Sequence, residues 1–182
     1  MEGKLEQSLP DKTAPSKWRR RRIFVSGGTL LVLFVGVTIF VQQQISADGP
    51  VPSDVSKAVN FSVYYPNQSK LPAGYTLDDA SFRLADTNVI VYSVRKNGEQ
   101  LVFSETQTPD TSIVDKFTSS YIPLHNTIST KLGKAAMGAA GQGTNLKTIV
   151  SLPISNGPWL IVTAPANTKQ SDMRQILQSL VK

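Results

Sequence analysis

The sequence predicts an α+β chain: one transmembrane helix, then a small antiparallel-sheet domain with a packed C-terminal helix. Three observations predict it. Residues 23–41 (IFVSGGTLLVLFVGVTIFV) run for 19 residues without a charge. The later sequence breaks into short alternating apolar runs separated by turn residues, including Asn97-Gly98. The last segment repeats apolar residues at Met173, Ile176, Leu177 and Leu180, the i, i+3, i+4, i+7 spacing of a helix with one apolar face.

Charge assigns the ends. Residues 1–22 carry seven basic and three acidic residues, net +4, whereas residues 42–182 carry 12 basic and 10 acidic, net +2. The overall charge of +6 is therefore concentrated beside the apolar run, which argues for a topology signal rather than a nucleic-acid surface. The polar segment 1–17, with Pro10 and Pro15, lacks an apolar period, so 1–22 is expected to be a disordered basic cytoplasmic tail. A 19-residue helix spans about 28 Å, close to the thickness of a hydrocarbon core, and residues 23–43 are assigned to the membrane. Trp18 and Arg19, Arg20, Arg21 and Arg22 abut its N-terminal end, while Gln42, Gln43 and Gln44 follow the other. The positive-inside rule then places the N-terminus in the cytoplasm and the remainder outside, with the lipid bilayer as first partner. A cleaved signal peptide would have a shorter apolar region and a small-x-small site, which Ile45-Ser46-Ala47 matches poorly. Release as a soluble domain after Ala47 is the alternative. Gly28 and Gly36, with Val32 between them at four-residue spacing, form a candidate face for contact with a second helix.

Residues 44–58, with Asp48-Gly49-Pro50 and Pro52-Ser53, are expected to be a linker, and residues 59–182 the extracytoplasmic domain. Its elements follow in order. Residues 60–65 alternate as a strand, with Phe61, Val63 and Tyr65 on one face and Tyr64 on the other. Tyr64 thereby becomes the candidate binding surface. Strands follow near 77–84 and 88–95, and a hairpin returns through Lys96-Asn97-Gly98-Glu99 into 100–106, because Asn and Gly accept positive φ. Pro109–Ser112 opens a short helix with Ile113 and Phe117 on one face. Strands near 127–132, 134–139, 145–152 and 159–163 precede a helix over 168–181.

Chemistry is sparse. Without Cys there is no disulfide, thiolate metal site, iron–sulfur cluster or Cys nucleophile. His125 is the single His, and no G-x-S-x-G elbow accompanies it, so an exported hydrolase or transferase using His125 is the rival to a non-catalytic domain. Asp78-Asp79 would point to opposite faces of a strand and fail to converge on a metal or a proton. Gly138-Ala139-Ala140-Gly141-Gln142-Gly143 lacks the strand-to-helix setting of a phosphate loop. The remaining aromatics read mainly as core. No catalytic residue, cofactor or metal ligand is assigned, and no nucleic acid is expected as a partner.

Tyr65-Pro66, Leu71-Pro72-Ala73-Gly74-Tyr75, Val89-Ile90-Val91-Tyr92, the Gly133 turn, Gly157-Pro158-Trp159-Leu160 and Gln175–Leu180 together resemble an uncharacterised bacterial envelope domain. It is similar to the extracytoplasmic domain of single-pass, anti-sigma-factor-like and sporulation-linked membrane proteins. The resemblance covers about residues 59–182 and implies an external domain that binds a protein, a peptide or a wall component, without catalytic residues to carry over. The chain departs from those regulators before the apolar run, where 22 residues are too few for a sigma-binding domain.

Overall fold

Residues 49–182 are described by the computed structural model; Trp18, Arg19–Arg22, Gly28, Gly36 and the apolar run lie outside them. Among the described residues no helix is long and apolar enough to cross a membrane. The described part is α+β. It begins with a short helix α1 (Ser53–Lys57) and a two-residue strand β1 (Tyr65–Pro66). The strands β2 (Thr76–Asp86), β3 (Val89–Lys96) and β4 (Glu99–Gln107) follow, then helix α2 (Thr111–Tyr121). Strands β5 (His125–Thr130), β6 (Gly133–Ala140), β7 (Lys147–Pro153) and β8 (Pro158–Pro165) lead to helix α3 (Gln170–Gln178) and a closing β9 (Leu180–Val181).

Seven strands form one antiparallel sheet in the order β2-β3-β4-β8-β7-β6-β5, and β1 pairs with β9 in a separate two-stranded piece. The β3–β4 turn forms where Asn-Gly predicts it: Asn97 and Gly98 have φ of 51° and 82°, and Lys96 pairs with Glu99. Both residues in the left-handed region give the twist that matches flanking strands.

Side-chain alternation divides the sheet into two unequal faces. Tyr92, Phe103, Val162 and Val150 face each other in register across β3, β4, β8 and β7, and all four are fully buried. This face carries the main core, covered by Met173, Ile176 and Leu177 of α3 and by the chain that leads into the sheet. Phe82, Tyr92 and Phe103 stack as a three-ring ladder, with centroids 4.6 and 4.9 Å apart, about the spacing of neighbouring strands. The opposite face holds a smaller cluster in which Val114 and Phe117 of α2 cover Trp159, Ile161 and Ile149. Trp159 Nε1 donates to Ser151 Oγ at 3.0 Å, so the indole is buried with its one donor satisfied.

Several expectations change. The linker assigned to 44–58 contains α1, and Val55 packs into the main core at 2 % exposure. The strand expected over 60–65 shrinks to Tyr65–Pro66. In α2 it is Val114, not Ile113, that turns inward beside Phe117, leaving Ile113 half exposed. The C-terminal helix stops at Gln178, because the Ser179 hydroxyl and amide both bond back to the Ile176 carbonyl and the chain then pairs with β1. Leu180 is still buried, now as a strand residue.

Gly138 on β6 sits opposite His125. A Cβ there would lie 2.6 Å from the Leu124 carbonyl oxygen and 3.2 Å from Ile122 Cβ. Backbone cannot move aside as a flexible side chain does, so Gly138→Ala is expected to destabilise by about 1–3 kcal/mol. Urea unfolding checks this; a change below about 0.5 kcal/mol would show that the α2–β5 turn yields freely.

Candidate functional site

A fully buried polar arrangement centred on Glu105 lies where the incoming chain meets the sheet. Leu101, Phe103 and Glu105 alternate along β4 onto the core face, so the strand carries a carboxyl group into apolar surroundings. Glu105 pairs in register with Ile90 on one side and Leu160 on the other, and is fully buried. An unpaired carboxyl in such a place needs hydrogen bonds. The Tyr64 N–H supplies them, 3.2 Å from Oε1 and 3.0 Å from Oε2. Tyr92 Oη lies 2.6 Å from the Tyr64 carbonyl oxygen and 3.3 Å from Glu105 Oε1. A phenol has one proton to donate, and the shorter contact takes it. The longer contact is then filled when Glu105 carries a proton and donates it to Tyr92 Oη. Burial pushes the Glu105 carboxyl up to about 8, with the Tyr64 amide pulling the other way. Burial raises the Tyr92 phenol as well, reinforced by the negative charge of Glu105.

Beside this junction lies an open recess of about 430 Å³, lined by Tyr65, Pro66, Gln68, Leu77, Asp79 and Val181 among others. Gln68 is spent on structure: its Oε1 accepts from the Leu77 N–H at 2.7 Å and its Nε2 donates to the Tyr75 carbonyl at 3.4 Å. Asp79 supplies the negative charge, its carboxyl raised by burial and then by neighbouring Asp78. The recess thus offers aromatic and proline surface beside one carboxyl group, a chemistry suited to an apolar or cationic side chain. A second cluster joins three separate parts of the chain. Tyr75 Oη donates to Asp172 Oδ2 at 3.2 Å, Lys96 Nζ reaches the same oxygen at 3.1 Å, and the ammonium lies 4.3 Å from the Tyr75 ring centre. These groups are partly solvated, so water screens their pairing, and what it does is fix the hairpin end against α3.

The sequence-derived candidates fare differently. Tyr64 is not a surface residue: it is 6 % exposed, and its neighbour Val63 is 8 % exposed. The chain before Tyr65 is irregular rather than a strand, so the alternation that pointed Tyr64 outward does not apply. What the sequence pattern left out is that the backbone of Tyr64 forms the junction. Asp78 and Asp79 do not converge: Asp78 pairs with Arg95 at 2.5 Å while Asp79 faces the recess. No group of acidic and His side chains able to hold a metal occurs among the described residues. His125 is exposed, and its Nδ1 lies 2.9 Å from the Ile122 carbonyl oxygen. That carbonyl accepts an Nδ1–H, so a backbone oxygen rather than a carboxylate orients the ring. Gly138–Gly143 forms the end of β6 and the turn into a single 3₁₀ turn (Gly143–Asn145), not a loop opening an α-helix. Glu105 is the residue missed, although its position two after Phe103 on an apolar alternation was the available signal.

No family model, curated protein or solved structure matches the chain.

Proposed function

We propose that this chain is a single-pass protein of the bacterial cell envelope, with its N-terminus in the cytoplasm and its C-terminal domain extracytoplasmic. The domain acts without catalysis, as a binding or accessory module for an envelope protein, a peptide or a wall component, in envelope sensing or signalling. The observation that carries this reading is the uncharged 19-residue run directly after Arg19–Arg22. Such a run crosses a bilayer with its backbone hydrogen bonds satisfied, and the arginines retain their end on the cytoplasmic side. The sheet domain adds support of a second kind: it buries a continuous core without disulfides, and it presents a recess of aromatic and proline surface with one carboxyl group. The resemblance read from the short motifs of residues 59–182 points the same way, to sensing rather than catalysis.

The expected result is that the full chain stays in the membrane pellet after alkaline carbonate extraction. Protease added to intact spheroplasts should remove the C-terminal domain while sparing an N-terminal tag. A chain found in the cytoplasmic fraction, or a domain cut only after lysis, rejects the proposal. A mature N-terminus at or beyond Ala47 would select the secreted form instead.

A further inference from the structure

Tyr64 is held through its backbone on both sides, its N–H by Glu105 and its carbonyl by Tyr92. It stands directly before β1, on the one stretch that connects α1 to the sheet. The two holding side chains come from β4 and β3, so this contact fastens the incoming chain to two interior strands rather than to an edge strand. The groups facing the carboxyl are few. From β3 it meets Tyr92, from β8 the apolar Leu160, and from the incoming chain the Tyr64 backbone. The C-terminal end places Lys182 Nζ over the Tyr64 ring, 5.7 Å from its centre. The ion pairs Arg95–Asp78 and Lys96–Asp172 involve other carboxylates.

We propose that Glu105 is a proton-controlled latch, which fastens the incoming chain at Tyr64 to β3 and β4 when protonated and releases it when ionised. The proton leaves to water, and no other bond changes. Closed, the neutral carboxyl needs no counter-ion and completes the hydrogen bond to Tyr92. Ionised, it is a fully buried anion without a cation, and lifting Tyr64 away admits water to solvate it. The latch does not depend on the membrane assignment; if that assignment holds, the latch sets how firmly the domain grips the chain that tethers it.

Linkage gives a sharp signature. The carboxyl titrates near 8 when closed and near its ordinary 4.5 when open. Opening therefore becomes about tenfold more favourable for each pH unit between those values, and levels off above the higher one. Hydrogen exchange measured on the full chain in detergent, divided by the intrinsic rate at each pH, tests this. Peptides covering 59–67 should exchange faster than those of β8 at every pH, with normalised rates rising roughly tenfold per unit from about pH 5.5 to 7.5. In Glu105→Gln the rise should vanish, because the amide keeps the shape and both hydrogen-bonding roles without a charge. Equal protection of 59–67 and β8 would mean that the segment opens only with the whole domain, and would overturn the latch. So would a flat wild-type profile, or the same rise in the variant. Should Glu105→Gln fail to fold, the wild-type carboxyl carbon followed by NMR decides: titration near 8 in step with the Tyr64 amide supports the latch, and titration near 4.5 overturns it.

Discussion

Phe103→Ala is expected to lower the stability of the domain by about 3–5 kcal/mol, the usual range for deleting a large, fully buried aromatic. Phe103 is the innermost ring of the Phe82–Tyr92–Phe103 ladder, has no exposed surface, and abuts Val162 on the next strand. Its removal loses the transfer free energy of the ring, its stacking on Tyr92 and the packing of atoms around the hole. Domains of this size are commonly stable by only about 5–15 kcal/mol, so the melting temperature should fall by roughly 10–20 °C. Phe117→Ala provides the comparison. That ring is only partly buried and packs edge-on to Trp159 at 5.0 Å in the smaller cluster, so its loss should cost less than half as much. Urea midpoints for both variants test which face bears the fold. Equal losses would contradict a core concentrated on one side of the sheet.

The legible parts of this fold were those decided within a few residues. Asn97-Gly98 fixes its hairpin because left-handed backbone is a property of those two residues, whatever lies around them. The runs around Tyr92, Val150 and Val162 give strands because alternation or continuous β-branched sequence suits a sheet buried on its main face. The parts that escaped were decided by tertiary partners. Val55 lies in a five-residue helix too short to show a period, and only its burial against the sheet gives it a place in the core. Leu180 fits the helical period of Ile176 and Leu177, yet pairing with Pro66 draws it into a strand. Tyr64 fails for a related reason: its direction is set by Glu105 and Tyr92, which lie 41 and 28 residues away in the chain. Glu105 itself stood on an alternation with Leu101 and Phe103, so its inward direction was readable, but a partner for it was not.

The stability of the wild-type domain should fall as pH rises from 5 to 8, opposite to the trend expected of a fold held by salt-bridged carboxylates. The sign follows from Glu105. Its carboxyl is raised from 4.5 in the unfolded chain to about 8 in the folded one, chiefly by burial. Between those values the folded state keeps a proton that the unfolded state has released, so each pH unit subtracts up to about 1.4 kcal/mol from stability. The group's contribution is fully present below the lower value and is lost once pH passes the higher one. Asp172 acts the other way: burial raises its carboxyl, but Lys96 and Tyr75 outweigh that and hold it below its ordinary value. Its share is present above its ordinary 3.8 and is lost as pH falls further. The two trends together place the stability maximum near pH 5. Glu105→Gln should be flat from pH 5 to 8, near wild type at the acidic end and more stable by about 2–4 kcal/mol at the basic end. Glu105→Ala should be weaker at every pH than Glu105→Gln, because it leaves the Tyr64 N–H buried without an acceptor, a cost of about 1–3 kcal/mol. Urea midpoints at fixed ionic strength across this range decide the matter. A wild-type domain that is equally or more stable at pH 8 than at pH 5 would show that Glu105 is already ionised in the folded state, and that the junction at Tyr64 is held by a carboxylate rather than an acid.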